Sequence, residues 1–215
     1  MKLLQLLIAS LLFVIAGCSQ PKAHKETKVY AEFNKADKMD EVEFWKIIDY
    51  SYESSAGDLE MQSNVIIKGL SQYTPSEIIE FEVIFTKKLI EANDYKIIAI
   101  NHIVDSPVSD DGFLYFRCWL ISLGRKNFEQ TIKKPDYLAH VIQKGVVPDF
   151  ESMLYISTSA YKNKTGKQVE DATFPREVAF RRGLNYETGG AKITGKDWKE
   201  EDLPKLYPKL WAKFN

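Results

Sequence analysis

From residue 39 onward, apolar residues return every three or four positions, the period of helices that bury one face. Asp40 and Glu43 stand where a capping pair would, and behind them Phe44, Trp45, Ile48 and Tyr52 share one helical face. Gly57-Asp58 stops that helix and starts a second, which carries Leu59, Ile66 and Leu70. Thr74-Pro75-Ser76-Glu77 combines a cap, a proline in the first turn and a capping-box acid, and Ile78, Phe81, Phe85 and Leu89 then line a third helix. Tyr95 to Val104 is β-branched enough for a strand, but its helical neighbours favour a helix. A turn at Asp105-Ser106-Pro107 leads to Ser109, which opens a helix through Leu123, kinked at Gly124 before Phe128 and Ile132. A short helix around Tyr137 to Val141 and a longer one from Asp149 to Lys164 follow, stopping near Thr165-Gly166.

The period then fades. Lys167 to Lys196 is polar and contains glycine, which predicts an extended connection laid over the surface. Aromatic and aliphatic residues return at Trp198, Leu203, Leu206, Tyr207, Leu210, Trp211 and Phe214, while Pro204 and Pro208 limit any helix there to short turns. The pattern as a whole predicts an all-α, single-domain irregular helical bundle. Its helical core is residues 39–166, and residues 167–215 form an aromatic C-terminal extension packed on that core.

The start of the chain follows another pattern. Leu3 to Ala16 is apolar except for Gln5 and Ser10, with Lys2 before it. This run falls short of the roughly 20 residues a membrane-crossing helix needs and has the layout of a secretory signal. Ile15-Ala16-Gly17-Cys18 resembles a bacterial lipobox. The resemblance implies that residues 1–17 are a lipoprotein signal peptide and that Cys18, as first mature residue, carries a diacylglyceryl group and a further acyl chain such as palmitate. Two or more chains anchor firmly where one does not. Ser19, in place of an aspartate, favours the outer membrane in a double-membraned cell. Residues 18–38, with Lys22, Lys25, Lys28, Lys35 and Lys38, read as a flexible polar linker. A coil of that length spans about 25 Å end to end.

Composition narrows the choices. The chain has 29 basic and 30 acidic residues, and because Lys2 is the one charge in residues 1–17, the chain from Cys18 carries a net −2. That balance argues against nucleic acid as a partner. Cys18 and Cys118 are the two cysteines, so lipidation of the first leaves no intramolecular disulfide.

Residues Ser109 to Arg125 (SDDGFLYFRCWLISLGR) are the densest block. With Phe44-Trp45, Ile48-Asp49, Pro135-Asp136, Leu138-Ala139 and the closing Trp198, Asp202-Leu203-Pro204 and Leu210, the block resembles the bacterial family called domain of unknown function 4240. The likeness runs over residues 39–215. It departs at Ser106-Pro107-Val108, where the family pattern has Gly-Gly-Cys, so no role tied to that cysteine carries over. The resemblance implies no reaction.

On a helical projection Arg117 falls among Phe113, Leu120, Gly124 and Ile121, in the middle of the apolar face. A buried guanidinium needs compensation, which predicts a carboxylate partner at Asp49 or Asp105. Ser109 reads as a cap, with Asp110 and Asp111 in a first turn whose dipole favours negative charge. The alternative is a polar ligand pocket made by Trp45, Asp49, Asp110, Asp111, Tyr115, Arg117 and Trp119.

Other chemistry is sparse. Gly190 to Lys196 has the glycine and lysine spacing of a phosphate-binding loop, but Asp197 stands where the magnesium-binding hydroxyl belongs. His24, His102 and His140 stand apart, which gives no zinc pattern. Cys118 reads as a core thiol, and Arg176, Arg181 and Arg182 as a solvated basic cluster. The expectation is therefore an envelope binding or interaction module without catalysis, cofactor or metal. Its partners are the membrane, through the lipid on Cys18, and an envelope protein or small ligand. The alternative is an enzyme with a polar site at Asp110, Asp111 and Arg117.

Overall fold

The computed structural model describes residues 39–187 and 190–215. The predicted signal peptide, linker and Cys18 lie outside the described residues.

Among those described, the chain is all-α. Ten α-helices follow in order: α1 Glu41–Ser55, α2 Leu59–Leu70, α3 Pro75–Glu91, α4 Tyr95–Val104, α5 Asp110–Ser122, α6 Arg125–Lys133, α7 Ile156–Thr165, α8 Pro175–Arg181, α9 Leu203–Leu206 and α10 Pro208–Phe214. Tight 3-10 turns occupy Pro135–His140, Glu151–Tyr155 and Glu200–Asp202. Among the described residues one bridge of β type pairs Asp94 with Thr194. No helix among the described residues is long and apolar enough to cross a membrane.

Helix α3 sits at the centre, against α1, α5, α7 and α8, while α1 and α2 pack as a pair. Its start shows the complete capping box predicted: the Thr74 backbone N–H donates to Glu77 at 2.8 Å and the Glu77 N–H donates to Thr74 Oγ1 at 3.3 Å. The start of α1 corrects the prediction. Asp40 accepts from the N–H groups of Val42 and Glu43, but the Glu43 carboxylate turns inward to accept from the Tyr73 hydroxyl at 2.7 Å. The segment Tyr95–Val104 is helical despite its β-branched content, because Ile97, Ala99, Ile100 and Ile103 are buried on several sides of it. Local propensity yields to packing there.

Gly124 ends α5 outright and does not merely kink it. Its φ of +90° lies in the region that favours glycine, and a Cβ there would sit 2.5 Å from Asp49 Oδ1. Asp49 holds that place because it accepts from the Arg125 N–H at 2.7 Å, so α1 supplies the cap for α6. Between Lys167 and Lys196 the predicted extended connection contains α8, whose Phe174, Pro175 and Ala179 are buried. The closing segment buries some of the side chains expected, while Leu206 is exposed. Pro204 and Pro208 start α9 and α10, Leu203 and Leu210 are fully buried, and Asp136 accepts from the N–H groups of Lys209 and Leu210.

Candidate functional site

Helix α5 begins at Ser109, whose Oγ accepts from the Gly112 N–H at 3.0 Å, and Asp110 and Asp111 stand exposed in its first turn. Two turns on, Arg117 is 4% exposed, as its position on the apolar face predicts. Its partner is not the one predicted. Arg117 Nη1 donates to the Leu89 carbonyl at 3.0 Å and Nη2 to the Tyr186 carbonyl at 3.4 Å, while the guanidinium lies 4.6 Å from the centre of the Phe113 ring. Asp49 is committed to capping α6, and Asp105 is exposed at the end of α4. The physical reason is local. Leu89 lies in the last turn of α3, where carbonyls lack helical partners and the macrodipole favours a cation. Dipoles and a ring face thus replace a carboxylate. They do so incompletely: burial pulls the Arg117 pKa down from the ordinary arginine value to about 10, and its Nε is buried without a partner.

Arg117 opens onto a cleft of about 370 Å³. Asp110, Asp111, Leu114 and Tyr115 of α5 form one wall, Leu154 and Tyr155 a second, and Arg176, Tyr186 and Glu187 the third. The Arg176 guanidinium lies 5.3 Å from the Tyr155 ring and donates from Nη2 to the Leu154 carbonyl at 2.6 Å. Arg176 Nε is also buried and unpartnered, and no ion pair among the described residues involves Arg117 or Arg176. Behind this floor lies Glu82 of α3, 1% exposed and within range of Arg176 but not ion-paired to it. Burial raises the Glu82 pKa, against the opposing pull of Ser157, Arg176 and Thr86. Burial also raises the Tyr115 pKa, helped by the nearby Glu151 and Asp111 carboxylates.

Four of the seven predicted pocket residues therefore meet at this cleft: Asp110, Asp111, Tyr115 and Arg117. Trp45, Asp49 and Trp119 do not. Trp45 is 1% exposed and packs against Phe44 and Phe128, with its Nε1 donating to Glu41. Trp119 packs on Phe116, on the inner side of α5. Sequence reasoning missed Leu154, Tyr155, Arg176, Tyr186 and Glu187. Arg181 and Arg182 are the exposed cations expected, facing Glu177 and Glu80, but Arg176 of the same cluster turns into the cleft. The available signal was Phe174-Pro175, a proline start followed by Val178 and Ala179 at helical spacing.

A larger cleft of about 670 Å³ lies where α4 meets the closing segment, lined by Asp94, Lys96, Lys196, Trp198 and Tyr207 among others. Lys196 is exposed and Lys96 lies 3.9 Å from Asp94, and the glycine-lysine loop serves there as a strap: the Tyr95 N–H donates to the Thr194 carbonyl at 3.0 Å. Cys118 is fully buried, and burial pushes its thiol pKa up, which disfavours a nucleophilic role. Among the described residues no group of three or more His, Cys, Asp or Glu side chains is placed to hold a metal ion.

The sequence model of the family described as "Protein of unknown function (DUF4240)" matches residues 39–163, more than half of the chain, and the protein belongs to that family. The match ends before the closing segment, so the likeness at Trp198, Asp202-Leu203-Pro204 and Leu210 is not part of it. No curated protein and no solved structure matches the chain.

Proposed function

We propose that this member of the DUF4240 family is a lipid-anchored binding module of the bacterial cell envelope, which holds a small ligand in the Arg117–Arg176 cleft without transforming it. The observation that carries the reading is a buried guanidinium without a carboxylate, opening onto a cleft that a second, half-buried arginine without an ion pair shares. Perturbed ionisable groups in clefts mark functional sites more often than chance. A volume of about 370 Å³ sits near the low end of the range for small-molecule sites, roughly 300–1,000 Å³. Anchoring rests on the sequence: an apolar run after Lys2, small residues before Cys18, and Ser19 for delivery to an outer membrane.

The enzymatic alternative keeps one supporting observation, since Asp110, Asp111 and Arg117 do line the same cleft. A single screen separates the two. The full chain in detergent is heated with a panel of ionic metabolites, in wild-type and Arg176→Met forms, and each mixture is analysed for products by mass spectrometry. A compound that stabilises wild type alone and is recovered unchanged supports the binding reading. Conversion of a compound by wild type supports the enzyme, and a panel without effect on either form contradicts both. Anchoring has its own assay: Cys18→Ala should fail to incorporate labelled palmitate and remain at precursor size. A variant that labels like wild type overturns the anchor.

A further inference from the structure

The charged lining of the cleft is of both signs. Arg117 and Arg176 supply two cations at its floor, and Asp110, Asp111 and Glu187, all exposed, supply three carboxylates at its rim. Neither arginine is consumed by an acid: Arg117 donates to two carbonyls and Arg176 to one, and each keeps a buried Nε–H without a partner. Arg117 itself is 4% exposed, so its donors are held rigidly in a poorly solvated place, where a paired anion gains most. A simple anion drawn to the arginines is repelled by three rim carboxylates. A simple cation drawn to the rim meets two guanidinium groups. A molecule with both charges a few atoms apart satisfies the floor and the rim together.

Resting on the binding reading above, we propose that the cleft takes a small zwitterion of the α-amino-acid type, its carboxylate toward Arg117 and Arg176 and its ammonium toward Asp110, Asp111 and Glu187. The planar guanidinium of Arg176, with one hydrogen bond to protein, matches a carboxylate in two-point fashion. Tyr115 and Tyr155 line the same cleft.

The test is calorimetric titration of the full chain in detergent with the twenty protein amino acids, and with acetate and methylammonium as probes of one charge each. At least one amino acid binds with a Kd below about 1 mM, while acetate and methylammonium bind far more weakly. Arg176→Met weakens that amino acid by at least about tenfold, the loss expected for a charge-assisted bond. Asp110→Asn with Asp111→Asn weakens the amino acid but strengthens acetate, because repulsion at the rim is relieved. These exposed positions can change without threatening the fold, and a thermal melt checks Arg176→Met. If the metabolite screen yields only a simple anion or cation, the binding reading stands and the zwitterion is wrong. If an amino acid binds wild type and all variants equally, it occupies another site and the inference fails. If no compound of any charge binds, the inference and the reading beneath it fall together.

Discussion

Arg117→Met isolates the physics of the buried guanidinium, because methionine keeps much of the aliphatic volume and removes the charge. The substitution takes away two charge-assisted hydrogen bonds, to Leu89 and Tyr186, each contributing about 1.5–3 kcal/mol. It also removes the contact with the Phe113 ring, about 1–2 kcal/mol in a desolvated place. Against this, it relieves the cost of burying the cation. The fall of its pKa from the ordinary arginine value to about 10 corresponds, at ~1.4 kcal/mol per tenfold, to about 3 kcal/mol. The balance is a net loss of about 1–5 kcal/mol, centred near 3 kcal/mol, at the low end of the ~3–5 kcal/mol typical when one partner of a buried ion pair is removed. Urea unfolding of residues 39–215, followed by tryptophan fluorescence, should show a midpoint lowered by about 1.5 M at a slope near 2 kcal/mol per M. Arg125→Met serves as the control. Its exposed side chain pairs only with Glu129, and the change should stay within about 0.5 kcal/mol. If Arg117→Met matched that control, the hydrogen bonds would not exist; a loss beyond about 5 kcal/mol would reveal a hidden carboxylate partner.

Glu82→Gln tests the buried acid. Burial raises the folded-state pKa of Glu82 above 4.5, so the unfolded chain ionises first as pH rises. The native fold therefore loses stability between the ordinary carboxylate range and the raised value, and the neutral isostere escapes that loss. The Gln variant should melt above wild type at pH 7.5 and gain less at pH 4. A lower melting point at pH 7.5 would mean an ionised Glu82 that supports Arg176. Gly124→Ala should cost about 1–3 kcal/mol, since it combines a left-handed backbone with a Cβ driven into Asp49. Added to Asp49→Ala, which forfeits about 1 kcal/mol of capping, it should cost less than the sum because the collision is gone. Strict additivity in that cycle would show that the two residues do not touch.

Helix starts were legible where a cap, a proline and an acid fall in fixed order, as at Thr74-Pro75-Ser76-Glu77, or where serine precedes two acids, as at Ser109. Burial of Arg117 was legible from its place on the α5 face, because periodicity reports which side of a helix faces inward. What stands opposite that face was not. The Leu89 and Tyr186 carbonyls belong to every residue's backbone and leave no mark on the side-chain pattern. Arg176 was hidden for a different reason: α8 is seven residues long, too short for a period to stand out from its polar surroundings. Trp45 and Trp119 were misplaced because aromatic character alone does not separate a ring in the core from a ring in a cleft. Glu82 escaped notice because the apolar stripe of α3 marks one face, while α5, α7 and α8 enclose the helix more widely.

The most direct test of the cleft as the working site is a nitrogen-15 NMR titration of residues 39–215 with an amino-acid mixture, followed at backbone amides and arginine Nε–H signals. Shifts should gather at Asp111, Tyr115, Leu154, Tyr155 and Glu187 and at the Nε–H groups of Arg117 and Arg176, and Arg176→Met should abolish them. Shifts gathered instead around Asp94, Trp198 and Tyr207, or unchanged spectra at saturating concentration, would contradict a working site at this cleft.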